Sequence, residues 1–216
     1  MSERAQEVRD LADAVRDLIH RMVATAAPVE VFAGVAASLR EVAARFEPYP
    51  KEYLYHGVRE SGLADAGSVG SDYEGPFDLS PVMGRANPLA PPLKLQVLDD
   101  RVAGSATFGP AYEGPPGCVH GGYIAAAFDE VLGLTQMLGG QPGMTGRLTV
   151  NYRTPTPLGE ELRLEGWIDR VEGRKTFCRG EIRVGDRLCA ECEGIFISVD
   201  FEKIKSLAEH AQRGLE

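Results

Sequence analysis

Apolar residues recur every three or four positions near the start of the chain, which indicates two amphipathic helices separated near Pro28. The first is marked by Val8, Leu11, Val15, Leu18, Ile19 and Met22, and the second by Val31, Phe32, Val35, Leu39, Val42 and Phe46. Two short helices of this kind cannot bury their apolar faces alone. We therefore predict a helical hairpin extension over residues 1–46 that packs on the main domain or on a second subunit.

The periodicity stops over residues 47–92, which contain seven prolines and six glycines. Proline removes a backbone donor, so this stretch is neither a regular helix nor a sheet ladder. We predict a connector over residues 47–79, a main domain over residues 80–200 and a tail over residues 201–216.

The main domain alternates between strand and helix patterns. A hairpin is indicated from residue 93 to residue 108, and a helix runs from Gly121 to about Leu138, with apolar residues around most of its circumference. Strands follow over 147–152, 161–171, 176–184 and 188–199, joined by short turns. The predicted fold class is α+β, an antiparallel sheet wrapped around one long buried helix.

Composition narrows the classes of partner and location. The formal net charge is −9, which argues against nucleic acid or an anionic membrane as the main partner. No segment has the roughly 18–20 apolar residues of a membrane span, and the first residues do not resemble a secretory signal. The four cysteines, Cys118, Cys178, Cys189 and Cys192, are interpreted as reduced thiols rather than metal ligands. We expect a cytoplasmic protein that needs no metal or cofactor.

Two features of the predicted helix carry candidate chemistry. Asp129 and Glu130 lie within it, and an unpaired buried carboxylate such as Asp129 is costly enough to indicate a functional site. For Glu130, a position at the surface or a role in capping nearby backbone explains the residue as well as a functional role does. The sequence His120-Gly121-Gly122 precedes the helix, where bare backbone N–H groups and the positive end of the helix dipole are suited to hold an oxyanion.

These residues form a series that resembles a known family. The stretch from Tyr112 to Gly122, then Ala125, Asp129-Glu130, Thr145 and the stretch from Asn151 to Leu158 are similar to the hotdog-fold acyl-CoA thioesterases, in particular the phenylacetyl-CoA thioesterase-like branch. The resemblance covers roughly residues 80–200. It implies a hotdog fold and hydrolysis of an acyl-CoA or aryl-CoA thioester.

The resemblance also implies roles for four catalytic positions. Asp129 acts as general base or nucleophile, and the Gly122 amide polarises the thioester carbonyl. His120 shapes the loop and contacts the carbonyl, while Thr145 brings a hydroxyl from the partner subunit. The site then lies between subunits of a homodimer or homotetramer.

Three further residues are candidates for substrate binding. Gly121 adds a second bare amide, Tyr123 is placed to wall an acyl pocket, and Arg153 is a candidate contact for the CoA phosphates. Packing is the more frequent role of an aromatic residue near a helix start such as Tyr123, and ordinary surface charge is the more frequent role of a residue such as Arg153.

Two alternatives remain open from the residues. A hydratase or dehydratase on the same fold generally carries an Asp/His pair in a different motif, which His120 before two glycines does not match. A non-catalytic acyl-CoA binder or assembly protein is the other alternative, and the N-terminal helices would suit the latter. The acyl group and the choice between dimer and tetramer are not fixed by the sequence.

Overall fold

The computed structural model describes residues 2–49, 68–69, 77–91, 93–140 and 143–199. The three helices are α1 (Glu3–Ala24), α2 (Val29–Ala44) and α3 (Gly121–Met137). The seven strands are β1 (Ser68–Val69), β2 (Lys94–Val97), β3 (Arg101–Thr107), β4 (Gly143–Tyr152), β5 (Glu161–Glu172), β6 (Lys175–Val184) and β7 (Arg187–Ser198). Most of the predicted connector and the tail from residue 201 lie outside the described residues.

The strands form one antiparallel sheet in the order β1-β2-β3-β5-β6-β7-β4. The two central hairpins have two-residue loops that begin with Gly173 and Gly185, whose φ angles are 58° and 53°. Helix α3 packs against every strand from β2 to β7. The predicted hotdog fold with an N-terminal helical extension is therefore confirmed.

Helix α3 is buried on one side only. Phe128, Val131 and Leu132 are completely buried against the sheet, whereas Gly122, Tyr123 and Asp129 are exposed. The prediction of a helix buried around its circumference was wrong for this second side. Its apolar and small residues there, together with the exposed edge strand β4, form a surface that nothing covers within the described chain.

Three glycines on neighbouring strands allow α3 to lie directly on the sheet. Gly166 and Gly180 are register partners on β5 and β6, and Gly194 follows on β7. A Cβ added at Gly166 would lie 2.6 Å from Thr135 Oγ1 on α3, and one at Gly180 or Gly194 would lie 3.1 or 3.0 Å from Leu132. The helix thus contacts backbone where most residues would present a side chain.

Helix α1 docks on the domain through its polar face. Arg9 is 1% exposed and forms an ion pair with Asp78 at 3.0 Å. Arg16 is also buried, and its guanidinium donates to the carbonyl oxygens of Arg85, Asn87 and Ala90. The apolar stripe of α1 faces away from this contact, with Leu11 44% exposed.

Helix α2 buries none of its side chains and makes no extended contact with another described element. The two helices predicted to form a hairpin are both present, but they do not lie side by side in the described chain. Among the helices that the structure describes, none combines the length and apolar character that a membrane crossing requires.

We expect Gly166→Ala to lower the free energy of unfolding by about 1–3 kcal/mol, because its new methyl group overlaps Thr135 and Val131 of α3. Chemical denaturation followed by circular dichroism measures this change. Gly34→Ala is the matched control, since nothing lies within 4 Å of a Cβ at that position. An unchanged stability in Gly166→Ala would show that α3 does not rest on the strand backbone.

Candidate active site

The N-terminus of α3 is capped by its own histidine. The Gly122 N–H donates to His120 Nδ1 at 3.0 Å, and the His120 carbonyl accepts from the amides of Tyr123 and Ile124. The amide predicted as the oxyanion donor, that of Gly122, is therefore already engaged. The Gly121 N–H, at the first position of the helix, has no partner among the described residues.

The loop before α3 is rigidly hydrogen-bonded despite its glycines and prolines. Glu113 accepts a hydrogen bond from the Gly117 amide at 2.7 Å, and Gly117 has a φ of 71° that favours glycine. The Val119 amide donates to Thr156, and the Leu158 amide donates to Gly117. Backbone hydrogen bonds thus join the loop before α3 to the segment after β4. This contact explains why both segments belong to the motif series that resembles the thioesterases.

Tyrosines surround the helix N-terminus. The Tyr152 hydroxyl, from the end of β4, donates to the Gly121 carbonyl at 2.9 Å. Tyr123 stacks edge-on against Tyr112 with ring centroids 4.8 Å apart, and burial raises the pKa of Tyr112 to about 12. Tyr123 itself remains 37% exposed on the uncovered side of α3.

Asp129 is paired with Thr145. The Thr145 hydroxyl on β4 donates to Asp129 Oδ1 at 2.7 Å within one chain, and both residues are exposed. Two expectations are corrected here. Asp129 is not buried in the single chain, because it lies on the uncovered side of α3. Thr145 reaches the carboxylate of its own chain, because β4 runs beside α3.

Glu130 has a different environment from its neighbour. It is partly buried and accepts a hydrogen bond at 2.9 Å from the Ser80 hydroxyl, which in turn accepts from the amides of Val82 and Met83. Burial raises the pKa of Glu130, and the charge of Asp129 adds to this effect while the Ser80 hydrogen bond opposes it. Glu130 therefore anchors the loop over residues 77–91 to α3.

The predicted phosphate contact lies apart from these groups. Arg153 follows β4, is 53% exposed and forms an ion pair with Glu191 on β7. No cluster of metal-ligating side chains occurs within the described ranges. Burial raises the pKa values of Cys178 and Cys192 to about 12, which keeps these free thiols protonated.

The helix geometry divides the candidate site into two halves. Gly121 and Asp129 are eight residues apart on α3, which at 1.5 Å per residue separates them by about 12 Å along the axis. One thioester carbonyl cannot contact an amide at Gly121 and a water held by Asp129 of the same helix. The Gly121 amide and the Asp129 carboxylate of one chain therefore lie too far apart on the uncovered surface to act on the same thioester.

Three contacts were missed by reasoning from the sequence. They are the Ser80 hydrogen bond to Glu130, the Tyr152 hydrogen bond to Gly121, and the contact of His20 on α1 with the site loop. Arg9, Arg16 and His20 recur on one side of the first predicted helix, and this polar face was the available signal for the last of these contacts.

Comparisons with known proteins identify the family of this chain. The sequence profile of the thioesterase superfamily matches residues 116–192. The crystal structure of a thioesterase superfamily protein is 35% identical with a TM-score of 0.73, and the match covers 88% of this chain and 94% of that one. This chain belongs to the thioesterase superfamily.

Two curated relatives show which members of the superfamily this chain is similar to. Acyl-coenzyme A thioesterase THEM4 of Xenopus laevis is 40% identical over 95 residues, which are 42% of this chain and 42% of that protein. Acyl-coenzyme A thioesterase THEM5 of Homo sapiens is 29% identical over 93 residues, 42% of this chain and 38% of that protein. These matches confirm the resemblance to the acyl-CoA thioesterases, although they span less than half the length of these relatives.

We expect Glu130→Gln to flatten the pH dependence of stability. The folded-state pKa of Glu130 is raised above its ordinary value of 4.5, so the protonated form favours folding and stability falls as pH rises from that value through the folded pKa. Glutamine keeps an acceptor for Ser80 and removes this loss. Thermal unfolding across pH 4–8 measures it, with exposed Glu160→Gln as the control. An identical pH profile for Glu130→Gln and the wild type would contradict the assignment.

Proposed function

We propose that this chain hydrolyses the thioester of an acyl-CoA or aryl-CoA to the free acid and CoA. The observation that carries this proposal is the Asp129 carboxylate held by the Thr145 hydroxyl at 2.7 Å, in a chain of the thioesterase superfamily. The activity named for the curated relatives supports the substrate class. The predicted cytoplasmic location belongs to the same proposal and is supported by the free thiols.

The oxyanion donor in this proposal is the Gly121 amide. It stands at the positive end of α3 and points its N–H toward no described acceptor, whereas the Gly122 amide caps the helix through His120. The Tyr152 hydroxyl holds the Gly121 carbonyl at 2.9 Å and so fixes the peptide plane next to this amide. A donor that is held in place before the reaction stabilises charge as it develops on the thioester oxygen.

The base in this proposal is Asp129. Thr145 occupies Oδ1, and no described residue donates to Oδ2, which is therefore available to a water molecule. Water attacks the carbonyl carbon while Asp129 takes its proton, the C–S bond then breaks, and the proton passes to the departing CoA thiolate. Direct attack by the carboxylate, followed by hydrolysis of the anhydride, uses the same geometry.

The complete site in this proposal forms between two subunits. Two α3 helices packed antiparallel about a two-fold axis place the Gly121 amide of the partner subunit next to Asp129 of this one, which removes the 12 Å separation within one helix. The edge strand β4 has an unpaired backbone edge beside α3 and extends the sheet into the partner. Tyr123 then lines the acyl pocket at this interface, and Arg153 reaches the CoA phosphates by leaving Glu191.

We expect Gly121→Pro to lower kcat on the order of 10²-fold, because proline removes the donor N–H. Proline is tolerated at the first position of a helix, and His120 already has the ψ of 132° that a residue before proline adopts. Release of free thiol from a panel of short, long and aromatic CoA esters measures the effect.

Gly121→Ala is the matched control for this experiment, since it adds the same contact with Tyr152 but keeps the N–H. Equal losses in both variants would assign the effect to packing and contradict the proposed donor. A wild-type protein that binds acyl-CoA and releases no thiol would identify the chain as a non-catalytic binder.

We expect Asp129→Ala and Gly121→Pro, each inactive alone, to restore activity when co-expressed. A mixed dimer has one site with both lesions and one site with neither, and random pairing gives about half mixed dimers. Thiol release should therefore recover to about one quarter of the wild-type rate. Asp129→Ala should also keep the wild-type melting temperature, because the side chain is exposed. Absence of recovery in purified mixed dimers would show that each site uses one subunit only.

A further inference from the structure

Two apolar stripes on the N-terminal helices match each other in length and spacing. The stripe on α1 consists of Val8, Leu11, Val15, Leu18 and Met22, and the stripe on α2 consists of Phe32, Val35, Leu39, Val42 and Phe46, the last just beyond the helix end. In both stripes the spacing alternates between three and four residues, which is the pattern of a helix-pairing seam. Eight of these ten side chains are between 37% and 58% exposed.

The two stripes do not cover each other within one chain. The segment between the helices is extended at both ends, with ψ angles of 148° at Thr25 and 160° at Pro28. It leads α2 away, so that α2 makes no extended contact with α1 or with the sheet. Exposed apolar side chains arranged in two continuous stripes mark an interaction surface.

The position of the α1 stripe is fixed by the opposite face of the same helix. Arg9 and Arg16 are buried against the loop over residues 77–91, and the Ala111 amide donates to His20 Nδ1. Helix α1 therefore presents its stripe as a rigid surface on the domain. Helix α2 lacks any such anchor among the described residues, and its stripe is free to bind elsewhere.

We propose that α2 of one copy of this chain packs on the α1 stripe of a second copy. A two-fold exchange of α2 covers both stripes in both chains with one self-complementary arrangement. The stripe on α2 is flanked by the small residues Ala36, Ser38 and Ala43, which allow a close approach of the helix axes.

Charge disfavours the pairing of two α1 helices. Asp13 on α1 is paired with Arg16 and Arg85, and Asp17 is paired with Arg21. The other acidic residues of α1 are Glu3, Glu7 and Asp10, against which only Arg4 remains, because Arg9 is buried in its pair with Asp78. Two α1 helices placed together therefore bring a net excess of negative charge together. Helix α2 carries only Glu30, Arg40 and Glu41, so its pairing with α1 avoids this repulsion.

Cysteine cross-linking of the full-length protein tests the proposal. Val15 and Leu39 are the central positions of the two stripes, so they meet whether the helices pair parallel or antiparallel. In a Cys118→Ser background, the double variant Val15→Cys/Leu39→Cys should form a disulfide-linked species of twice the chain mass on a non-reducing gel. The remaining native cysteines are buried.

Three controls make the result specific. Val15→Cys alone and Leu39→Cys alone should not cross-link, whereas co-expression of the two single variants should give a linked pair. Asp17→Cys/Arg40→Cys, which places the thiols outside the stripes, should not cross-link. Adding Val35→Asp to the reporter pair should reduce the linked fraction at least tenfold, and adding Arg40→Gln should leave it nearly unchanged.

Other outcomes would overturn the proposal. Linkage in either single variant would show like-with-like pairing, and an intrachain disulfide without a change in mass would show a closed hairpin. A reporter pair that stays reduced under oxidation would show that something other than a second copy covers the stripes. None of these readouts depends on thioester hydrolysis.

Discussion

The structure depends on the close contact between α3 and the backbone of the three central strands. Because Gly166, Gly180 and Gly194 have no side chains, Leu132 lies against the sheet surface itself. At this distance the sheet covers one side of the helix completely and leaves the other side uncovered. The contact therefore decides which residues of α3 form the core and which, including Asp129, remain on the uncovered side.

This position has a consequence for the chemistry. The positive end of the helix and the carboxylate are both fixed to α3, and a rigid helix cannot bring them closer than about 12 Å along its axis. The strand β4 supports both, through Tyr152 at one end and Thr145 at the other. In the proposed two-subunit site, each half is thus held in place within its own chain, and the partner subunit supplies proximity between the two halves.

Much of the fold was predictable because it follows from local patterns. Alternating apolar residues and two-residue turns beginning with glycine fix the central strands, and Gly139-Gly140 ends α3 close to the predicted position. The burial of Asp129 was mispredicted for a physical reason. Hydrophobic periodicity reports that a helix face avoids water, but it does not report whether the same chain or another one covers that face.

The candidate site was predictable in its residues and less so in its contacts. The helix carboxylate and the two glycines follow from the motif, whereas the hydrogen bond of Gly122 to His120 depends on a side-chain orientation that no spacing encodes. The same limit applies to Thr145. Its place beside Asp129 of its own chain requires knowing that β4 returns along α3 after the turn.

The docking of α1 shows how a polar contact can select one arrangement where an apolar one would not. An apolar stripe slides along another surface at little cost, but the Arg16 guanidinium fits only where three carbonyl oxygens converge, and a buried charge without them is strongly unfavourable.

The same face of α1 places His20 against the site loop, where burial lowers the pKa of His20 and keeps its Nδ1 available as an acceptor. Tyr112 contacts His20, and its carbonyl accepts from the His120 amide at 2.9 Å. The N-terminal extension is therefore connected through Tyr112 to the residue that caps α3, and the polar anchoring that places α1 also leaves its apolar stripe exposed.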